Sequence, residues 1–483
     1  LDESKSYGMS FTLIGFLLYL VIILFVGFAT YKNNKTHQDY FLAGRRLNPW
    51  VVAFSERASG ESAWLLLGLP GLAYASGLIG SWDAIGCVSG IVFYWFFIAQ
   101  RLRVESQNVD AITLPDFFAE KFGKHKNIIR VVALLIIVFF FTFYLASQFN
   151  AAGKVLNVTF GIDWIYGVLI GTFVIVFYTM MGGFFAVAWT DLIQGIIMIS
   201  SLVLLPLIGW IELQKTGISI NQALADSPPG GMWLGGKTGW MASAMVISGL
   251  SWGLGYMGQP HLLTRFMSIN DPGKIRFSRK IALVWAFLGF TGAVFIGLVA
   301  LAYYGPNAFA DREYIMPQLT NDLFPGWLAG IFISGAIAAM MSTGDSQLLV
   351  VTSSVIEDFY HKTLRRELSE KRLLLLSRSV TIIVGLVGFV IAIKSESLVF
   401  KMVSYAWAGL GASFGPALLL LLWWKKVTSQ GVITGMISGA VMTVIWTELP
   451  ELDNFISVRF VSFAVAFFLV ITVSLFTKNK EVV

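Results

Sequence analysis

Two short stretches of the chain carry charge where apolar residues surround it. In AFSERASGESAW (53–64), Glu56, Arg57 and Glu61 stand between WVVAF and WLLLGLPGLAY; in AAMMSTGDSQLLV (338–350), Asp345 lies deep in another apolar run. An ionisable side chain inside a membrane span is costly unless it faces protein or water, so each such residue marks a candidate site. On the second stretch Ala339, Ser342, Thr343 and Ser346 recur at i, i+3, i+4 and i+7, one stripe of a helix, and Asp345 borders that stripe. A stripe of hydroxyls suits a hard cation, which takes several oxygen ligands. It equally suits close helix packing with the hydroxyls bonded to backbone carbonyls, and the spacing leaves both readings open. Glu56 is read as the mate of Arg57, because a buried charge needs a partner. Asp83, beside Trp82, reads as a carboxylate at a wet helix end, and Asp191 as one near a helix start, favoured by the helix dipole.

The elements that must position these residues are membrane spans. Of 483 residues 56% are hydrophobic and 13% charged, against roughly 25% charged in soluble domains. The mean hydropathy is +0.74. A span needs about 20 apolar residues. About 13 candidate runs fall near 10–30, 50–77, 78–99, 127–153, 160–182, 185–212, 239–258, 277–304, 323–355, 376–394, 397–424, 428–448 and 457–477. The expected class is an all-α polytopic membrane protein, with residues 1–483 forming a single transmembrane domain. The Lys- and Arg-rich segments (YKNNK, QRLRVE, GKIRFSRK, HKTLRRELSEKR, TKNK) fall on alternate sides of the runs. Positive residues favour the cytoplasm, which predicts an outside N-terminus and a cytoplasmic C-terminus. Only MGGFFAV, between the fifth and sixth runs, is mute, while DSPPGGMWLGG reads as an outer loop. The net charge of +6 is thereby a property of inner loops, and no nucleic-acid partner is expected. GFLLYLVIILFVGF reads as the first span rather than a leader. The single cysteine, Cys87, excludes an intrachain disulfide and reads as a packing residue. No nucleotide loop, metal triad or Ser/His/Asp arrangement occurs, so no enzyme and no cofactor are expected.

Two runs carry helix breaks. The second has Gly60 amid Ser59 and Ser62; the seventh, SWGLGYMGQPH, has Gly253, Gly255, Gly258 and Pro260. Unwound backbone at membrane depth is tolerated only where it is buried in protein or lines a cavity. Interrupted segments at corresponding positions of two halves point to a carrier's binding site. The breaks lie five runs apart, which predicts two five-helix repeats, about 50–212 and about 239–424, with one span before and two after. Free N–H groups at the breaks suit a carboxylate, and free carbonyls a cation. Trp64, Tyr144, Trp252 and Tyr256 stand close by in sequence as candidate pocket walls and a cation–π surface for an amine. His261, just past Pro260, reads as a loop residue.

The strings DYFLAGR, AWLLLGLPGLAYASG, ITLPDFF, GGFFAVAWTDLIQ, WGLGYMGQPHLLTRFM, MMSTGDSQLLVVTSSVIEDFY and VSYAWAGLGASFGPALL, spread from about Phe11 to Thr477, closely resemble the sodium/solute symporter family, and within it the proline-transporting branch. The resemblance implies a LeuT-type 5+5 inverted repeat with alternating access in a cell's inner (cytoplasmic) membrane. It implies a proline-like amino acid as solute, Na+ as the coupling ion, and no other cofactor. Lipid and the solute are the expected partners, with the chain a monomer or weak oligomer. Residue by residue, the sodium site resembles the backbone carbonyls of Ala58, Glu61 and Ala339 with the hydroxyls of Ser342 and Thr343. Ser62 is similar to a serine implicated in ligand and ion binding. Trp64, Tyr144, Trp252, Tyr256 and Pro260 match positions of the solute pocket or its gate. Asp191 matches a carboxylate implicated in sodium passage, and Arg45 a loop arginine important for coupling.

The chain departs from the pattern at the residues first noted. The family aspartate important for sodium affinity is Gly60 here, while Glu56, Arg57, Glu61 and Asp345 replace uncharged residues. Three readings follow. Glu61 or Asp345 replaces the missing carboxylate and sodium still binds; or Glu61 and Asp345 share a proton, making a proton symporter; or Arg57 pairs with Asp345 or Glu61 as a fixed internal cation that weakens coupling. Leu145 and Gln148 also differ from the family, which bears on solute choice. A rival of another class is the membrane sensor domain of a larger signalling protein.

Overall fold

The computed structural model describes residues 3–31, 37–123, 125–181, 183–227, 231–366, 369–395 and 397–477. Part of the basic stretch YKNNK, Gly182 of the mute segment, residues 228–230 of the outer loop and the lysines of TKNK lie outside the described residues. Regular structure among the described residues is helical, apart from one bridge between Leu47 and Ile269.

The apolar runs fold as α1 (Glu3–Tyr31), α2 (Pro49–Ala63), α3 (Leu69–Ser76), α4 (Ser81–Phe97), α5 (Lys126–Phe160), α6 (Trp164–Met181), α7 (Phe184–Thr216), α8 (Gly239–Leu250), α9 (Pro260–Ser268), α10 (Ile275–Tyr304), α11 (Gly326–Ser353), α12 (Glu370–Lys394), α13 (Val399–Trp423), α14 (Ser429–Thr447) and α15 (Val458–Thr477). Nine helical stretches among the described residues are long and apolar enough to cross a membrane; Phe11–Gly27 and Trp164–Met180 are shorter apolar helices. The first long stretch, Pro49–Phe97, holds the second and third predicted runs together. The seventh run is cut into pieces too short to count as one.

Both breaks are present. In the second run the chain leaves the helix at Ser62 (φ 45°, ψ −172°), not at Gly60, and resumes through a π-helical turn, Trp64–Gly68, into α3. Gly60 stays helical because its value is space. A Cβ there would meet both Leu262 methyls at 3.3 Å. A positive φ is strained for serine and persists only where its surroundings fix it. Here they do: Ser62 Oγ accepts from the Trp64 N–H (3.3 Å) and the Gln148 Oε1 accepts from the Ala63 N–H (3.1 Å). In the seventh run α8 passes through Trp252–Gly255 and Tyr256–Gly258 to an extended Gln259, and Pro260 starts α9. Proline at a first helical position loses no hydrogen bond and presets φ. The glycines before it allow close approach: a Cβ on Gly253 would lie 2.4 Å from the Gly86 carbonyl oxygen on α4.

Burial sorts the helices by place. α11 and α13 are buried along most of their length and form the centre with the broken runs. α1, α6 and α12 expose large apolar side chains, among them Phe25, Phe173 and Leu386, as a lipid-facing perimeter requires. Arg45 sews the entry of α2 to the exit of α9. Its guanidinium donates to the carbonyls of Met267 (3.0 Å) and Ala111 (2.7 Å), and Leu47 exchanges backbone bonds with Ser268 and Asn270. Burial and the neighbouring Arg103 lower the Arg45 pKa to about 10, still charged at neutral pH.

Candidate functional site: two breaks and two charged clusters

The seam between α2 and α11 is made of oxygens. Ser342 Oγ donates to the Ala58 carbonyl (3.0 Å) and stands 3.2 Å from the Ala339 carbonyl; Thr343 Oγ1 donates to the Ser59 carbonyl (3.0 Å); Ser59 Oγ donates to the Ser342 carbonyl (3.1 Å). All three hydroxyl side chains are buried. Ala58, Ala339, Ser342 and Thr343 are thus together. The carbonyl of Glu61 accepts the N–H of Trp64 across the break and makes no hydrogen bond to these hydroxyls among the described residues. The carbonyl of Ser59, which sequence reasoning did not single out, stands in the seam instead. Hydroxyls bonded to carbonyls here also meet the packing reading of the stripe, so one geometry serves both.

A first charged cluster lies on the side of α2 that faces α4 and the seventh run. Arg57 donates from Nε to Glu56 Oε2 (2.7 Å) and from Nη1 to Glu61 Oε1 (2.6 Å), with a further Nη2 contact to Glu56 Oε1. Nη2 also donates to the Tyr94 hydroxyl (2.6 Å), Trp95 Nε1 donates to Glu56 (3.1 Å), and the Tyr256 hydroxyl donates to Glu61 Oε2 (3.0 Å). Glu56, Arg57 and Glu61 are each 0% exposed. Every polar side-chain atom of the three has a partner.

A second cluster lies below the seam. Asp191 Oδ2 accepts from Ser55 (2.6 Å) and Arg265 Nη2 (3.0 Å) and stands 3.0 Å from Ser59 Oγ; Arg265 Nη2 also reaches the Ser59 and Ser346 hydroxyls. Ser346 Oγ reaches Asp345 Oδ1 at 3.4 Å. Asp191 is a full two turns into α7 and 0% exposed, so it is a buried ion-pair member rather than a helix-start carboxylate. Asp191 Oδ1, Asp345 Oδ2 and Gln194 Oε1 are buried without a hydrogen-bond partner.

These partners decide between the readings of the added charges. Arg57 pairs with Glu61 and not with Asp345. Glu61 and Asp345 share no partner: the first is bound into α4 and the seventh run, the second faces Asp191, Arg265 and Ser346. Among the described residues no hydrogen bond joins the two carboxylates, so this geometry does not favour the expectation of a proton shared between them. Among the described residues the Arg57 side chain makes no hydrogen bond to the seam oxygens.

The aromatics do converge. The Trp64 and Trp252 rings stack at 4.5 Å and 11°. Tyr144 donates to Ser62 (3.4 Å), Tyr256 packs edge-on against Trp407 (4.7 Å), and Trp407 Nε1 donates to the Trp252 carbonyl (3.0 Å). Pro260 stands apart from this ring cage and lines a narrow cavity with Phe41, Phe184 and Thr264. Phe400, at the start of α13, closes the cage over Trp252 (5.3 Å) and Trp64 (6.2 Å). Glu313 holds that end by accepting from the Val399 and Phe400 N–H groups (3.0 and 2.9 Å) and from Lys154 (2.5 Å). His261 is not a loop residue: it is 0% exposed within α9 and its ring stands 5.3 Å from Phe141. Asp83, in the first turn of α4, stands near Arg459 of α15. Cys87 is a buried free thiol.

Sequence reasoning missed Arg265, Gln148 and Trp407. Arg265 looked like one more inner-loop base, and Gln148 showed only as a departure from the family.

The profile of the "Sodium:solute symporter family" matches residues 40–439. The "High-affinity proline transporter PutP" of Bacillus subtilis (strain 168) is 39% identical over 465 residues, covering 94% of this chain and 96% of that one. The "Sodium/proline symporter" of Escherichia coli (strain K12) is 38% identical over 445 residues, covering 90% and 88%. Among solved structures, a Na+-coupled sialic acid symporter in a substrate-bound outward-open state superposes with a TM-score of 0.78 at 19% identity over 98% of each chain. MhsT in complex with L-phenylalanine gives 0.56 at 13% identity, covering 88% of this chain and 98% of that one. At such identities the likeness shows the fold, which is the expected LeuT type.

Proposed function

Because the chain belongs to the sodium:solute symporter family, we propose that it imports proline, or an amino acid much like it, together with sodium. The family is one of transporters and not of enzymes. The observation that carries the reading is the oxygen seam: Ser342 and Thr343 of α11 bonded to the carbonyls of Ala58 and Ser59, four and three residues before the break at Ser62. A cation entering the seam takes those oxygens as ligands and ties α11 to the half-helix that ends at the break. That steadies the unwound backbone beside the aromatic cage, where the solute binds. Ion and solute therefore favour the same state, which is what coupling requires. Ser62, Trp64, Tyr144, Trp252 and Tyr256 form the cage, Pro260 sets the second break, and Asp191 receives the ion on its way inward. Phe400, held by Glu313, closes the outer side.

The repeats are 50–212 and 239–424, within one transmembrane domain. The carrier sits in the cytoplasmic membrane with its N-terminus outside and its C-terminus inside, as the Lys and Arg placement favours. The names of the relatives favour a carrier over a sensor, and sodium over the proton.

The test is labelled-proline uptake into proteoliposomes, with sodium and pH gradients imposed separately. An inward sodium gradient drives accumulation at constant pH. Uptake driven by outside acid and indifferent to sodium overturns the reading.

A further inference from the structure

The charges beside the first break do not cancel. Glu56 and Arg57 make a two-bonded pair, and Glu61 adds a second carboxylate to the same guanidinium. All other side chains bonded to this trio are uncharged: Trp95 and Tyr256 donate to it and the Tyr94 hydroxyl accepts from it. One formal negative charge remains in a place sealed from water, and a buried charge is costly unless a cation answers it. The excess sits at Glu61, the residue before Ser62. Its Oε2 accepts from the Tyr256 hydroxyl alone, so lone-pair capacity remains for one more donor. Tyr256 belongs to the aromatic cage. In that cage the indole N–H groups of Trp64 and Trp252 are both buried and have no acceptor. The cage thus offers an unanswered carboxylate and two unanswered donors, the complement of a zwitterion.

We infer that Glu61 is the specificity-determining residue that receives the charged amine of the solute at Oε2, while the solute carboxylate takes the indole N–H of Trp64 or Trp252. Arg57 is a positioning residue: it holds Glu61 toward Tyr256 and, through Glu56, keeps the remainder neutral. The inference rests on the reading of the chain as a carrier of a proline-like amino acid.

The test compares unlabelled L-proline with tetrahydrofuran-2-carboxylate, in which an ether oxygen replaces the charged ring nitrogen, as inhibitors of labelled-proline uptake by the full chain in proteoliposomes. The unaltered carrier prefers proline by about 100-fold or more. Glu61→Gln leaves the neutral Glu56–Arg57 pair in place. It weakens proline by about 10- to 100-fold and leaves the ether analogue within about 2-fold, so the ratio collapses, while the sodium KM at saturating proline holds. Glu61→Asp keeps the charge but withdraws it by one methylene, and it gives an intermediate ratio; it serves as the reading if Glu61→Gln fails to reach the membrane. A ratio unchanged in whichever variant is active overturns the inference, as does a shifted sodium KM with the ratio intact. Absence of sodium-driven proline uptake by the unaltered chain defeats the carrier reading itself, a different result.

Discussion

The two charged clusters have the same formal inventory, two carboxylates and one arginine each, and opposite hydrogen-bond states. Around Arg57 every oxygen and nitrogen is engaged. Around Arg265, one oxygen of Asp191 and one of Asp345 have no partner, and Gln194 Oε1 beside them has none either. The first cluster borders the aromatic cage and the second lies under the oxygen seam. The difference teaches that charge count alone does not identify an ion site. A cluster in which every polar atom already has a partner is built to hold shape and present one charge. A cluster with unfilled oxygens is built to take something in and let it go.

The largest expected effect separates the two arginines. Arg57→Met leaves Glu56 and Glu61 buried without their cation, a loss of about 3–5 kcal/mol, and sodium does not restore it. Arg265→Met removes the cation beside Asp191 at similar cost, but there sodium can enter among the unfilled oxygens. The thermal unfolding of the purified protein therefore recovers with added sodium for Arg265→Met and not for Arg57→Met. Equal recovery, or none in either, breaks the comparison.

A smaller effect concerns the break. Gln148→Leu strips the acceptor from the Ala63 N–H, worth about 1–3 kcal/mol in a buried position. Proline uptake slows with the sodium KM unchanged if the break serves the solute side alone. A joint rise in both constants shows that the seam feels it too. The smallest effect is the sharpest: because Glu61 and Asp345 share no partner, the losses from Glu61→Gln and Asp345→Asn add to within about 0.5 kcal/mol in a double-mutant cycle on uptake. A coupling larger than about 1 kcal/mol means the two carboxylates communicate, and revives a shared proton.

Much of this was legible in the sequence. The glycines and Pro260 announced the second break, Gly60 pointed only to the neighbourhood of the first, and the i, i+3, i+4, i+7 hydroxyls announced the face of α11 that meets α2. Arg57 and Glu61 are one helical turn apart, so their pairing was among the readings the sequence allowed. The rest depended on tertiary neighbours. Serine carries no local signal for a positive φ; Ser62 is held there by Tyr144, and the unwound backbone by Gln148, both from α5, more than eighty residues on. Arg265 follows a broken span by a few residues and reads as a loop base. Only the packing of α9 into the core, with every residue from Pro260 to Ser268 buried, makes it the partner of Asp191. The side of α2 that Glu61 takes was likewise set by Tyr256, which lies beyond the reach of any local pattern.

The account turns on sodium sitting in the seam between α2 and α11, and a sodium titration of proline uptake by Ser342→Ala and Thr343→Ala in proteoliposomes tests that most directly. Each substitution deletes one oxygen and raises the sodium KM by about 10- to 100-fold, equivalent to ~1.4–3 kcal/mol, with uptake recovering at high sodium. A sodium KM unmoved by both substitutions, in carriers that still take up proline, would contradict it.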